Sequence, residues 1–263
     1  MTTTGPTPAA FPGGRPRPRV IALGGAARSA PSHTLAALEA AVTQGADGLA
    51  VAAHLSADRQ LMVAATGRLD RLAGAEGSVG QKSLRELKRL DAGGWFSRAF
   101  RGQRLQALGE VLERFRGRVE VVILLAGGAD FQPEVEERLL DLLWLRGVTG
   151  EVTVGSADHH ALRRCRALDP DLRLLALLGA RPLSPAPLIG SGTPPFGAVG
   201  LPAHLLAPGD VQAWQAAGLE CLAWDADEPA RAGTLAAWGV AALVTTRPGE
   251  IRAVLADTPG GGR

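Results

Sequence analysis

The sequence has few cysteines, and this scarcity excludes two kinds of framework. Cys165 and Cys221 are the two cysteines among 263 residues, they lie far apart, and neither belongs to a C-x-x-C motif. A structural zinc site or a set of disulfide bridges needs cysteines in larger number and closer spacing. The sequence therefore predicts neither, and it indicates a reducing compartment.

Long apolar runs are also missing. No stretch approaches the roughly 18 apolar residues of a membrane-spanning helix, and the opening MTTTGPTPAAFPGG has no apolar signal segment. We therefore predict a cytoplasmic protein without membrane insertion.

A strong excess of one charge is absent as well. The net charge is +2, and the basic residues are interspersed with acidic ones, apart from the short cluster GGRPRPR. This balance gives no electrostatic reason to expect a nucleic acid or a membrane surface as a partner. Because residues 1–18 are rich in Pro, Gly and Thr, we predict a disordered tail there, and a second one over 257–263.

What the chain does contain is enough apolar material, 46%, for one large core. Its length fits a single (β/α)8 barrel of the TIM type, which takes about 250 residues. The stretch 19–55 reads as strand, helix and strand. Ser32 or Thr34 is placed to cap the helix, and strands are predicted at 20–23 and 48–53.

The same alternation continues to residue 256 and predicts an α/β barrel domain over 19–256. After a strand at 61–65 and a short helix near 84–90, the predicted helices cover 107–115, 133–146, 158–168, 208–217, 228–238 and 248–256. The remaining strands are predicted at 119–125, 151–155, 172–177, 197–201, 220–224 and 241–245, with a Pro-rich loop at 180–195. These are nine strands for eight places in a barrel. The pair at 48–53 and 61–65 is the expected source of the excess, and the barrel is expected to be irregular between its second and third strands.

The framework residues resemble one known family. VIALGGA, PSHTLAA and GADGLAVAA are similar to the V-I-A-H-R-G-A, P-E-N-T-L-A-A and G-A-D-G-x-E-x-D-V patterns of the glycerophosphodiester phosphodiesterases, which are PLC-like (β/α)8 barrels. LRELKRLDAGGWF and GVAALVTTRP continue the resemblance. It covers about 20–256 and implies the same barrel.

The residues that carry this family's chemistry are not the ones found here. At the positions that the resemblance assigns to catalytic side chains the chain has Leu23, Gly24 and Ala65, followed by Thr66. At the metal-ligand positions it has Ala50, Ala52 and Leu124. Other replaced positions are Ser32, His33, Ala126, Asp227 and Thr246.

These replacements predict a non-catalytic binding or scaffolding barrel without a cofactor. Each lost acid or base costs about 10² to 10⁴ in rate, and an apolar strand end cannot coordinate magnesium. The alternative is an active hydrolase of glycerophosphodiesters, acting in lipid or glycerol metabolism. It would need Mg²⁺ or Ca²⁺ at a relocated site built on His33, His54, Asp58 and Asp70. In the simpler interpretation, His54 ends a strand, Asp58 makes a turn and Asp70 pairs with Arg71.

A third hypothesis concerns the pocket itself. If Leu23, Ala50, Ala52, Ala65 and Leu124 line it, the ligand could be apolar or lipid-like, with a wall formed by Trp224, His54 and Ala126. His159 and His160 are expected not to chelate a metal, because neighbours on a helix point about 100° apart, and Asp158 is expected to cap that helix. The protein or small-molecule partner is not identified. A leucine-rich helix near Leu139 could form a dimer face, so an oligomer is a further alternative.

Overall fold

A computed structural model describes residues 10–11, 15–126, 132, 134–184 and 196–257. Its strands are, in chain order, β1 (Ala10–Phe11), β2 (Arg15–Pro16), β3 (Arg19–Leu23), β4 (Gly48–Leu55), β5 (Leu61–Val63), β6 (Gln106–Ala107), β7 (Glu120–Leu125), β8 (Val152–Ser156), β9 (Arg173–Leu177), β10 (Ala198–Pro202), β11 (Glu220–Trp224) and β12 (Ala242–Thr245).

Eight of these strands close into a parallel barrel in the order β3, β4, β7, β8, β9, β10, β11, β12 and back to β3. The predicted (β/α)8 barrel is confirmed. β1 and β2 form a separate antiparallel ribbon within the tail that was expected to be disordered. The rest of that tail, 1–9 and 12–14, and most of the predicted C-terminal tail, 258–263, lie outside the described residues.

The excess strand is β5, which lies outside the barrel. The distal half of β4 pairs antiparallel with β5, and β5 pairs antiparallel with β6. Since only a tight turn at 56–60 joins β4 to β5, no crossover helix fits between them, and the second strand must return antiparallel. The prediction that the pair 48–53 and 61–65 held the surplus is confirmed.

The helices predicted from residue 107 onwards lie within two residues of their predicted bounds, the short helix predicted near 84–90 ends early, and the helix Leu69–Ala73 was not predicted. The helices are α1 (Leu35–Thr43), α2 (Leu69–Ala73), α3 (Leu84–Leu87), α4 (Leu108–Phe115), α5 (Val135–Arg146), α6 (His159–Leu168), α7 (Pro208–Ala216), α8 (Pro229–Trp238) and α9 (Pro248–Asp257). Single 3-10 turns cover Val79–Gln81, Arg98–Phe100 and Thr149–Glu151. Residues 185–195 of the predicted Pro-rich loop lie outside the described residues. None of the described helices is long and apolar enough to span a membrane.

Two of the predicted helix caps are present. Thr34, rather than Ser32, caps α1, because its side chain accepts a hydrogen bond from the Ala37 amide. The Asp158 carboxylate accepts one from the His160 amide at 2.9 Å and caps α6 as predicted. Such caps satisfy amides that the first turn of a helix leaves without partners.

Two apolar layers hold the barrel together. One fills the space between the strands and the surrounding helices, and the other fills the interior with alternate side chains such as Ile21, Val122 and Leu222. Gly155 and Gly200 leave room for the interior leucines. A Cβ at Gly155 would lie 3.1 Å from Leu124 Cδ2, and one at Gly200 would lie 3.0 Å from Leu177 Cδ2.

An ion network lies at the amino-terminal end of the barrel. The Arg19 guanidinium donates to Glu120 at 2.7 Å and to Glu220 at 2.5 Å, and thereby links β3 to β7 and β11. Thr153 donates to the same Glu120 carboxylate at 3.2 Å. A cavity of about 420 Å³ opens beside these side chains, with Leu175 in its apolar wall.

Cys165 and Cys221 are both free and buried. Burial raises the pKa of each thiol to about 12, so neither is a reactive thiolate at neutral pH.

On the leucine-rich α5, Leu139 and Leu143 are buried whereas Leu145 is exposed. The assembly state stays a prediction.

Candidate functional site

The mouth of the barrel lies at the carboxyl ends of its strands, where barrels of this type hold their functional groups. Strand pairing places Leu23 beside Ala50, and Ala52 beside Leu124. With Trp224 at the end of β11, these side chains pack into one apolar cluster. The structure thus brings together the three positions that the resemblance assigns to metal ligands, and one that it assigns to catalysis.

Trp224 is half-buried and packs against this cluster, which places it where a pocket wall was predicted. Ala126 follows β7 and is also half-buried, but residues 127–131 next to it lie outside the described residues. Ala65 was expected in the same pocket. It is instead exposed after β5, because that strand turns away from the barrel.

Gly24 shapes the entrance loop after β3. It adopts φ +64°, and a Cβ on it would lie 2.1 Å from Ser32 Oγ and 2.5 Å from His33 Nδ1. Its amide donates to the Ala50 carbonyl at 2.8 Å, and its carbonyl accepts from the His33 amide at 2.8 Å. Only glycine fits both this conformation and this space. The side chains of Ser32 and His33 therefore cover the backbone at this point.

His33 is buried at the mouth with a defined tautomer. Its Nε2 lies 3.2 Å from the Ala52 amide nitrogen, which can only donate, so Nε2 accepts and the ring proton resides on Nδ1. Nδ1 then donates to Ser32 Oγ at 2.7 Å. Burial, together with the nearby His54, lowers the pKa of His33 from 6.5 to about 4. The imidazole is neutral at pH 7.

This arrangement excludes a serine nucleophile activated by His33. A general base must offer a lone pair to the hydroxyl proton, but the nitrogen that faces Ser32 carries a proton itself. The other nitrogen is engaged by the Ala52 amide. The pair orders the entrance loop and holds it against β4.

The relocated site imagined from the sequence is not assembled. His54 lies on the distal part of β4, buried, near enough to His33 to affect its pKa. Asp58 accepts from Ser56 Oγ at 2.6 Å and from the Leu84 amide at 2.9 Å, which makes it a turn residue as the simpler interpretation predicted. Within the described ranges, no group of three or more His, Cys, Asp or Glu side chains could hold a metal ion.

Asp70 corrects one local prediction. Its carboxylate pairs with Arg68, through Nε at 3.1 Å and a terminal nitrogen at 2.8 Å, rather than with Arg71. Arg68 precedes α2 and reaches over its first turn, whereas Arg71 acts on Asp70 more weakly, through its backbone amide and its charge.

His159 and His160 diverge, as predicted. His159 Nε2 lies 3.1 Å from the Leu177 carbonyl oxygen, so it donates there and ties the start of α6 to the end of β9. His160 is exposed.

Asp227 forms a polar cluster that the sequence interpretation missed. Its carboxylate accepts from Thr245 Oγ1 at 2.7 Å, from the Thr246 amide at 2.7 Å and from Thr246 Oγ1 at 2.6 Å. Burial alone would raise the pKa of Asp227, but these hydrogen bonds and the nearby Arg247 hold it below its usual value. The cluster links the loops that follow β11 and β12.

A signal for this cluster was present in the sequence. The resemblance expects an amide at 227 and a carboxylate at 246, and the chain has a carboxylate at 227 and a hydroxyl at 246. One acidic group therefore remains, with its position exchanged between two loops. Because the two positions were treated as separate losses, the contact between them was missed.

The chain matches a family model. The model described as "Glycerophosphoryl diester phosphodiesterase family" covers residues 24–250. The "Glycerophosphodiester phosphodiesterase" of Caldanaerobacter subterraneus is 33% identical over 156 residues, which are 59% of this chain and 64% of that protein. The chain thus spans just under two thirds of that relative. The "Probable glycerophosphodiester phosphodiesterase 1" of Mycobacterium tuberculosis is 30% identical over 265 residues, covering 91% and 93% of the two chains.

A solved structure is similar over nearly its whole length. The crystal structure of a glycerophosphodiester phosphodiesterase from Agrobacterium tumefaciens superimposes with a TM-score of 0.78 at 27% sequence identity. The match covers 90% of this chain and 99% of that one. The two share the barrel and the order of its elements.

Proposed function

The chain belongs to the glycerophosphoryl diester phosphodiesterase family. Within that family, we propose that it is a non-catalytic member, a barrel retained for binding or scaffolding. One observation carries this proposal. Ala50, Ala52 and Leu124, at the positions where the resemblance expects metal ligands, pack with Leu23 in one apolar cluster. Methyl and isobutyl groups offer no oxygen or nitrogen to a hard cation.

The energetics point the same way. Ala50 is fully buried and Leu124 is 9% exposed, so a divalent ion placed here would lose its hydration without gaining anionic ligands. The neutral His33 cannot serve as an acid at pH 7, and its basic nitrogen is occupied. Asp227, three residues after Trp224, is already engaged by two hydroxyl donors and one amide donor.

The test combines calorimetry and an assay. Metal-stripped protein is titrated with Mg²⁺ and with Ca²⁺, and hydrolysis of a glycerophosphodiester is followed on the same sample. The Caldanaerobacter relative serves as the positive control for both. We expect neither saturable binding nor turnover. Binding at one site with turnover above the blank would refute the proposal.

The second candidate is an active glycerophosphodiester phosphodiesterase, and the comparisons with known proteins favour it over the first. The relatives carry that name, and the Mycobacterium tuberculosis relative matches almost from end to end. This candidate requires Mg²⁺ or Ca²⁺ at a relocated site. Turnover that disappears in His54→Ala but persists in the exposed control His160→Ala would support it.

A third candidate is an apolar or lipid-like ligand in the former site. The apolar cluster at the mouth, with the half-buried Trp224 as its wall, favours such a ligand over a charged one. Lipid extracted from the purified protein and identified by mass spectrometry would support this candidate.

Two free buried cysteines are in keeping with the proposed cytoplasmic location.

A further inference from the structure

The charge of the chain is concentrated in one place. Residues 82–104, called the basic segment from here on, contain seven basic and two acidic residues, a net charge of +5. The whole chain has +2, so the remainder is net acidic. The expectation drawn from the average charge therefore does not apply to this surface.

The basic segment is folded as one unit on a small apolar base. It contains α3 and the turn Arg98–Phe100, and its Leu87 and Ala92 are buried in a cluster over β5. The Arg104 guanidinium donates to the Arg89 carbonyl at 2.7 Å and joins the two halves of the segment. The Ala92 amide donates to the Gln103 carbonyl at 2.8 Å.

The outer face of the segment is cationic. Arg85, Arg98 and Arg101 are exposed, and none of them forms an ion pair within 4 Å with any residue that the structure describes. By contrast, Lys88 is paired with Glu110. At least three exposed guanidinium groups of this segment thus have no carboxylate within 4 Å in the described part of the chain.

An exposed tryptophan lies between Arg85 and Arg98 in the sequence. Trp95 is 58% exposed, although its Nε1 donates to the Ala92 carbonyl at 2.9 Å. Its ring packs edge to face on Phe96 at 5.6 Å, and Phe96 packs in the same way on Phe100 at 5.5 Å. The hydrogen bond and the aromatic contact hold the indole in place while it faces water.

The basic segment adjoins the mouth of the barrel. Gln103 Oε1 accepts from the amide of Ala36 at 3.4 Å. Ala36 is the second residue of α1, directly after the entrance loop that carries His33. A surface that binds the basic segment would therefore lie next to the apolar mouth.

We propose that the basic segment docks the barrel peripherally on an anionic lipid surface, with Trp95 at the depth of the headgroups and the three arginines over lipid phosphates. Tryptophan prefers the interface between water and lipid, and basic side chains nearby add electrostatic attraction to anionic lipids. A single-stranded nucleic acid would call for several exposed rings along a groove, whereas Phe96 and Phe100 are half-buried here. The proposal does not depend on whether the barrel hydrolyses a substrate.

Vesicle flotation of the full chain tests this proposal. The probes are vesicles of phosphatidylcholine alone and vesicles with about a third of phosphatidylglycerol, at low and at high salt. We expect binding to the anionic vesicles that weakens at high salt. Because each basic residue near such a surface contributes about a fivefold increase in partitioning, Arg98→Glu with Arg101→Glu should lower it at least about 30-fold.

Two controls locate the effect. Arg138→Glu with Arg163→Glu changes the charge equally on the α5 and α6 wall and should cost at most a few-fold. Brominated lipid should quench part of the tryptophan emission in the wild type and not in Trp95→Phe. Four outcomes would each overturn the proposal. They are absence of binding at low salt, equal losses in both double variants, unchanged quenching in Trp95→Phe, and tighter binding to single-stranded RNA than to anionic vesicles.

Discussion

The buried His33 should make the stability of the protein depend on pH in a defined window. Its pKa is about 4 in the folded chain, against 6.5 without burial. The unfolded chain therefore binds more protons between these values, and the folded state loses stability as the pH falls. The contribution is fully present above pH 6.5 and is lost as the pH falls through 4.

The size of this contribution follows from the same two values. The difference between 6.5 and about 4 corresponds to about 3 kcal/mol in full, of which about 2 to 3 kcal/mol should be lost by pH 4.5. Structurally, a second ring proton on Nε2 would face the Ala52 amide, a donor, and would break the hydrogen bond between them.

The variant His33→Asn isolates this term. Asparagine tolerates the left-handed conformation, φ 63°, and is the residue that the resemblance expects there. Urea unfolding of both proteins from pH 7.5 to 4.5 should show that the wild type loses about 2 to 3 kcal/mol more than the variant. His160→Asn, an exposed site, should follow the wild type. Parallel pH profiles for wild type and His33→Asn would refute the assignment of a neutral, buried imidazole.

Three other substitutions probe the mouth. Ala50→Glu with Ala52→Asp places two carboxylates in a buried apolar cluster, and it should lower the free energy of unfolding by about 3 kcal/mol or more. An unchanged melting temperature would mean that the cluster is open to water. Gly24→Ala should lower the free energy of unfolding by at least about 2 kcal/mol more than Gly74→Ala, because both residues have nearly equal φ but a Cβ clashes only at Gly24. Equal losses in urea unfolding would contradict this. Asp227→Asn should cost about 1 to 2 kcal/mol at pH 7, and the difference should shrink below pH 3.8, where the depressed pKa of the carboxyl ceases to stabilise the fold; a constant difference at acid pH would be inconsistent with it.

The fold was predictable because its signals are local. Buried strands such as 220–224 are short apolar runs between turn residues, and their bounds matched the structure. Even the surplus strand could be located, because the turn at 56–60 is too short for a helix.

The site was predictable in position but not in its contacts. Register alone brings Leu23 next to Ala50, and this follows from strand order. The tautomer of His33 depends on the Ala52 amide, and the Asp227 cluster depends on how two loops meet. The exposure of Ala65 depends on the direction of β5. Such contacts arise only once distant segments have packed, so no pattern in one segment indicates them.

The closure of the barrel by β3 and β12 bears on how the chain is made. Val20 pairs with Leu243, so the contact joins residues about 220 positions apart, and contacts of such separation form slowly. During synthesis β3 must wait for almost the whole chain before its second edge is covered. Until then, the apolar strand β3 keeps unpaired backbone groups along this edge, and these can pair with another nascent chain.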